Sequence, residues 1–254
     1  MRHSLAVFLL FTLTACSSLQ SSDNLDKLSA DELYKAAKES LDKENYETAI
    51  TKFESLQSRF PYGRYAQQAQ LEVAYAYYRQ NEPESSISAA ERFIKQYPNN
   101  PHVDYAYYVK GLANFHGEKR LLDSLGEHDP TERDPKAAQD SFDAFKDLVT
   151  RFPASKYAPD SRVRMQYLIN ALAKYEIHVA RYYLRRGAHI SAVNRAKEVL
   201  TQYPNSPSVH DALLILVQGY DAMGLKDLRN DAQRVLDKNF PQTAAANKSN
   251  EISK

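Results

Sequence analysis

Five times along this chain an aromatic residue is followed directly by proline: Phe60-Pro61, Tyr97-Pro98, Phe152-Pro153, Tyr203-Pro204 and Phe240-Pro241. Proline has no amide proton and its ring clashes with the turn before it, so a helix that reaches such a pair has to stop there. The prolines are 37, 55, 51 and 37 residues apart, a unit of 37 with insertions of 18 and 14. Apolar residues keep their distance from each stop: the fifth residue back is Leu56, Phe93, Leu148, Val199 and Leu236, and the eleventh is Ile50, Ile87, Phe142 and Val193, with Asn230 breaking the series. Such spacing predicts a partly buried helix ending at the aromatic. The eighth residue after each of the first four prolines is Ala69, Ala106, Ser161 and Ala212, small every time, which lets two helices approach closely. Ala37, Ala74 and Ala180 stand twenty-four residues before a proline, where Val217 departs.

Two antiparallel helices per unit, small residues at the crossing and a closing proline are the pattern of tetratricopeptide repeats of about 34 residues. The expected fold class is all-α, a solenoid of five helical hairpins at about 31–61, 62–98, 99–153, 154–204 and 205–241. An irregular helical bundle is the alternative, and it gives no reason for the shared positions. A single hairpin cannot bury its apolar face, so neighbours supply the core, and the expected stack is an elongated, curved body with a concave binding surface. The first insertion, "HGEKRLLDSLGEHDPTERDP", is expected to be a loop, with Asp134 capping the helix that Pro135 begins. No glycine or proline interrupts the second between Asp160 and Arg186, which predicts a helix longer by about four turns.

The ends read differently. Residues 1–15 have Arg2 and His3 before an apolar core from Leu5 to Leu13, too short to span a bilayer and typical of an export signal. Leu13-Thr14-Ala15-Cys16 resembles the bacterial lipobox; the alternative is an ordinary signal peptide that ends near a cysteine. The lipobox resemblance implies a diacylglycerol on the Cys16 thiol and an acyl chain on its amino group, a durable anchor, and Ser17 implies delivery to the outer membrane. Cys16 is the only cysteine, so no disulfide can form. Residues 16–30 read as a polar flexible tether and 242–254 as a disordered tail.

Little in the sequence suggests catalysis. Its seven histidines form no metal-ligand spacing, and its glycines form no phosphate-binding loop. The expectation is a protein that is not an enzyme, with no metal and no cofactor beyond the lipid. Past residue 15 the charges balance at 32 against 32, which gives no general attraction to nucleic acid.

Tyrosine is concentrated instead: nine of 18 lie between Tyr62 and Tyr108, including "YAYY" at 75–78 and "Tyr105-Ala106-Tyr107-Tyr108". The ring is apolar with a hydroxyl handle and suits recognition of extended or amphipathic peptides; the same rings also suit interhelical packing. The candidate peptide groove is Tyr62, Tyr65, Tyr75, Tyr77, Tyr78, Tyr105, Tyr107 and Tyr108. Tyr75 and Tyr78, like Tyr105 and Tyr108, share a side at i, i+3, while Tyr77 and Tyr107 face elsewhere. Six bases against two acids fall between Lys174 and Glu198, and Arg181, Arg185, Arg186 and Arg195 are candidates for docking a partner. Arg195 occupies a place that is alanine in three of the five units. It is expected to grip a partner's carboxylate and to leave folding nearly unchanged when truncated, unless its stem only covers apolar surface.

From the lipobox to about Pro204 the residues resemble the BamD family, lipoprotein subunits of the outer-membrane β-barrel assembly machine. The carriers are Pro61, Gly63, Tyr65, Gln67, Gln68 and "YAYY"; Asp104, Tyr105, Tyr108, Gly111 and Leu112; "RDP" at 133–135 with Phe142 and Phe145; "LAKYE" at 172–176, Tyr182-Tyr183, "RGA" at 186–188 and "VNR" at 193–195. The resemblance implies five repeats on the periplasmic face of the outer membrane and an adaptor that receives unfolded barrel proteins. It also implies docking on the POTRA domains of the barrel subunit, alongside the other lipoproteins of the complex. A repeat lipoprotein that organises or acts on the cell wall is the alternative.

Overall fold

A computed structural model describes residue 25, residues 27–123 and residues 135–241, the side chains of 116–123 excepted. The expected signal peptide, Cys16, the Asp134 cap and the 242–254 tail lie outside the described residues. Those residues form α1 (Ala30–Asp42), α2 (Tyr46–Arg59), α3 (Arg64–Arg79), α4 (Pro83–Gln96), α5 (Val103–Asp123), α6 (Lys136–Arg151), α7 (Ala158–Arg185), α8 (His189–Gln202), α9 (Val209–Ala222) and α10 (Lys226–Asn239), with no strand among them. The chain divides into two compact units, up to Val109 and from Lys110 onward. In the first, α1, α2, α3 and α4 pack in succession and α1 also meets α3; in the second, α6 to α10 pack in succession and α7 also meets α9. Contact between first helices of successive hairpins is what stacking requires, and the fold class is the solenoid of helical hairpins that the sequence predicts.

The aromatic-proline pairs act alike. Each aromatic sits at its helix's C-cap with φ between −131° and −127° and ψ between 49° and 68°, and donates its amide to the carbonyl four residues back at 2.8–3.0 Å. The following proline pushes the aromatic's backbone out of the helical region, so the stop is local and steric. Three residues past the aromatic, Asn100, Ser155 and Ser206 donate their amides to the aromatic's carbonyl at 2.9–3.0 Å. Their side-chain oxygens accept the amides two residues on at 2.8–3.2 Å, which starts the next helix from a side-chain turn. Within hairpins the reversal is also shared: Glu44, Asn81, Gly187 and Gly224 have φ of 59°, 63°, 73° and 72°. The next amide reaches the carbonyl five residues back at 2.9–3.0 Å in all four, the six-to-one bond of a Schellman turn.

Packing follows the small residues. Ala69, Ala106, Ser161 and Ala212 have no exposed surface, and neither do Ala37, Ala74 and Ala180. Subtracting the 18-residue insertion puts Gly111 at that second position in the third hairpin. A Cβ there would lie 2.5 Å from the Phe145 ring. Ser86 donates to the carbonyl of Ala74 at 2.8 Å and Ser141 to that of Gly111 at 2.9 Å, the same bond in two hairpins. Among the described residues Phe53, Phe93 and Phe145 are the largest fully enclosed side chains, each stabilising by roughly 2–3 kcal/mol through burial.

Asn230 is explained by its position. In the first four hairpins the place eleven before the proline is buried or half-buried, and so are Gln57, Ile94, Val149 and Leu200, four before it; on α10 Asn230 and Asp237 are both exposed. No further helix follows α10 among the described residues, so these two places meet water and are polar, as a terminal repeat requires, although Leu228 and Val235 elsewhere on the helix are 46% and 43% exposed.

Two expectations change. α5 continues through Asp123, so residues 116–123 are helical rather than loop; a lone Gly117 is too weak a breaker against "EKRLLD". Pro135 is the N-cap of α6, not its first residue, and gives no side-chain cap. The expected tether is also held at its end: Leu25 and Leu28 pack on the first unit's core, and Arg59 donates to both their carbonyls. The second insertion behaves as predicted, with α7 at 28 residues against 14 for α9.

Candidate functional site

The first unit carries a wall of half-buried tyrosines, Tyr34, Tyr46, Tyr65, Tyr75, Tyr77, Tyr78 and Tyr105, packed on its core. Four of their hydroxyls, those of Tyr34, Tyr65, Tyr75 and Tyr77, are held by hydrogen bonds. Tyr65 donates to Asp31 at 2.6 Å, receives Arg64 at 3.0 Å, and its ring lies 5.4 Å from that of Tyr34. Tyr34 donates to Glu72 at 3.4 Å, and burial first and the Glu72 charge second push its phenol up to about 12. Tyr77 donates to Glu54 at 3.2 Å and its pKa is likewise raised, mainly by burial. Arg79 donates to Tyr75 at 2.8 Å and to Glu44 at 3.0 Å, and lies 5.1 Å from the centre of the Tyr46 ring.

The helical spacing brings Tyr75 and Tyr78 together at 6.4 Å, and Tyr105 on α5 joins Tyr75 at the same distance. Tyr77, by contrast, turns to α2 through Glu54. Among the candidates two stand apart. Tyr107 is 8% exposed and belongs to the core, because its neighbours Ala106 and Val109 are wholly enclosed on the same helix; it presents no ring to a peptide. Tyr62 is 93% exposed, beyond the wall, on a loop whose Gly63 has φ 113°. Tyr108 is half-buried. Tyr34 and Tyr46 complete the wall although they precede the tyrosine-rich stretch; they sit on α1 and α2, and no local signal joins them to it.

The arginines of the second unit do not form one site. Arg181 on α7 pairs with Asp211 on α9 at 3.0 Å. Arg185, one turn further along α7, is exposed, and Arg186 is exposed with its guanidinium 4.8 Å from the centre of the Tyr182 ring. Arg195 on α8 turns another way. Its Nη1 donates to both oxygens of Glu176 at 3.1 and 3.3 Å, and the Glu176 side chain is only 12% exposed. Burial raises the Glu176 pKa, and the Arg195 charge and hydrogen bond oppose that rise. Arg195 therefore already holds a carboxylate, and the expectation that its truncation spares the fold is corrected: the change would strand Glu176. The sequence hid this because the partner lies nineteen residues upstream on another helix.

Among the described residues no three His, Cys, Asp or Glu side chains are placed to hold a metal ion. Nor is any described helix long and apolar enough to cross a membrane. What the first unit offers is a set of partly exposed aromatic faces, four of them held at their hydroxyls by hydrogen bonds.

Comparison with known proteins adds a family to this geometry. The model of the outer-membrane lipoprotein family YfiO matches residues 26–236. "Outer membrane protein assembly factor BamD" of Neisseria meningitidis is 41% identical over 243 residues, covering 94% of this chain and 91% of that protein. The proteins of the same name from Xylella fastidiosa and Vibrio cholerae are each 36% identical, covering 94% and 88% of this chain and 82% and 90% of their own lengths.

Proposed function

Because this chain belongs to the BamD family of outer-membrane lipoproteins, we propose that it is a lipid-anchored periplasmic adaptor of the outer-membrane β-barrel assembly machine. In this reading Cys16 carries the acyl chains, the tyrosine wall of the first unit receives segments of unfolded barrel proteins, and the second unit docks on POTRA domains of the barrel subunit. The observation that carries the proposal is the match of nearly the whole chain to proteins named as assembly factors. Half-exposed tyrosines pinned by Asp31, Glu54 and Arg79 support the peptide site. Strands of barrel proteins alternate apolar and polar residues, and an extended segment could lay its apolar side chains on these rings.

Affinity purification from solubilised outer membranes tests the adaptor role. Recovery of a POTRA-containing barrel protein is expected, and recovery of cell-wall proteins alone would reject it. The peptide site is tested by crosslinking a labelled carboxy-terminal strand peptide to purified protein. Tyr75→Ala and Tyr78→Ala should lower the yield several-fold while the chain stays folded, whereas Tyr107→Ala should lower Tm. Loss of stability in all three, with no selective loss of crosslinking, would remove the wall as the site.

A further inference from the structure

One face of α7 stands out once its pairings are assigned. Val163 and Tyr167 are 70% and 43% exposed near the amino-terminal end of the helix. Continuing at steps of three and four residues, the same stripe passes through Asn170 to Lys174, His178, Arg181 and Arg185. It is apolar at one end and cationic at the other. Beside the cationic end lies a cavity of about 300 Å³, lined by Lys174, His178 and Arg181 from α7 and by Ser206, Ser208 and Asp211 from the start of the last hairpin. Asp211 is the one acid lining it, and it is taken by Arg181 at 3.0 Å. Lys174 and Arg185 enter no ion pair among the described residues. Burial, then the charges of Lys174, Arg181 and Arg185, hold His178 below the usual imidazole value, which marks the local field as positive.

The width of the stripe limits what fits. From Asn170 to Arg185 only Lys174, Arg181 and Arg185 are exposed on α7, a line one residue wide. A second helix is about 10 Å across and needs a broader track; an extended chain does not. Tyr167 and His178 are eleven residues apart, about 16 Å along the helix, or about five residues of extended chain at ~3.3 Å each.

We propose that this stripe binds an extended acidic segment of a partner protein, with an aliphatic or aromatic side chain against Val163 and Tyr167 and carboxylates that begin about five residues away, between Lys174 and Arg185. Charge complementarity selects the acids, and the apolar end fixes the direction of the chain. Polyanions that lack an apolar anchor use only half of the surface. The inference rests on the adaptor reading only for where such a partner would be met; binding itself does not depend on it.

The test uses the purified full chain and a fluorescein-labelled peptide, Leu-Phe-Ser-Gly-Ser-Thr-Glu-Asp-Glu, followed by anisotropy at pH 7 and low salt. Saturable binding is expected, with Lys174→Glu and Arg185→Glu each weakening it about tenfold and Tyr167→Ser about threefold. Reversing the peptide's order should also weaken it, and exchanging its acids for lysines should abolish it. Equal affinity of wild type and Lys174→Glu would overturn the proposal. So would binding to anionic phosphatidylglycerol vesicles that the peptide cannot displace, since the ligand would then be a lipid headgroup. Recovery of the barrel subunit with Lys174→Glu is read separately, so failure of the peptide site and failure of the adaptor role are distinguishable.

Discussion

Arg195 and Glu176 show how much a single pair can change the meaning of a residue. A carboxylate with 12% of its side chain exposed stays charged near neutrality only with a cation beside it, so Arg195→Ala should destabilise the protein by roughly 2 kcal/mol. Arg195→Ala combined with Glu176→Gln should recover most of that loss, because the stranded charge is gone. If the double variant is no more stable than the single one in urea melts, the pair is not the cause. Burial raises the folded-state pKa of Glu176 above its ordinary 4.5. Its neutral form therefore favours the fold most fully below that ordinary value, and the benefit is lost as pH rises through the folded value. Removing Arg195 raises the folded pKa further, so the stability gap between wild type and Arg195→Ala should be smaller at pH 4 than at pH 7. The sequence shows Arg195 as an exception to an alanine position, and that much is local. Its partner was hidden because pairing across two helices is set by their packing. The tyrosine wall follows the same logic: the i, i+3 pair Tyr75 and Tyr78 is legible, while Asp31 and Glu54, which accept from the hydroxyls of Tyr65 and Tyr77, stand thirty-four and twenty-three residues away from them.

At the level of elements, what could be read in advance is what acts within a few bonds. A proline stops a helix by sterics alone, so the ends of α2, α4, α6, α8 and α10 fall at the five aromatics. The extension of α5 was missed because helix continuation past an isolated glycine is a small balance of propensities. The polar residues three past Tyr97, Phe152 and Tyr203 are not legible in advance because their task appears only in the folded turn. Ser206→Ala should remove one such turn bond and cost about 1 kcal/mol, measurable by chemical denaturation; an unchanged midpoint would show that water replaces the hydroxyl. Gly111→Ala makes a sharper test of helix packing. Its methyl would meet the Phe145 ring at 2.5 Å, deep between α5 and α6, so a loss of about 1–3 kcal/mol is expected from overpacking. Phe145→Leu in the same chain should restore part of it.

For the whole molecule, the balanced charge of 32 against 32 past residue 15 gives no net electrostatic attraction to a membrane, and no described helix is long and apolar enough to cross one. Cys16→Ala should therefore leave the membrane fraction once partner proteins are stripped away, as sedimentation would show; a variant that still pellets would require another anchor. The polar outer face of α10 bears on a different problem, that of polymer growth. An array built by adding like units to like has no intrinsic length, and an end that could accept another copy's first hairpin would propagate head to tail into an open filament. Asn230 and Asp237 put polar groups at two of the places where another hairpin would pack. Asn230→Ile with Asp237→Leu should give the end the apolar character found at the same places in earlier hairpins, and concentration-dependent assembly in analytical ultracentrifugation is the expected result. Two polar side chains would then help to keep a repetitive chain from becoming a fibre.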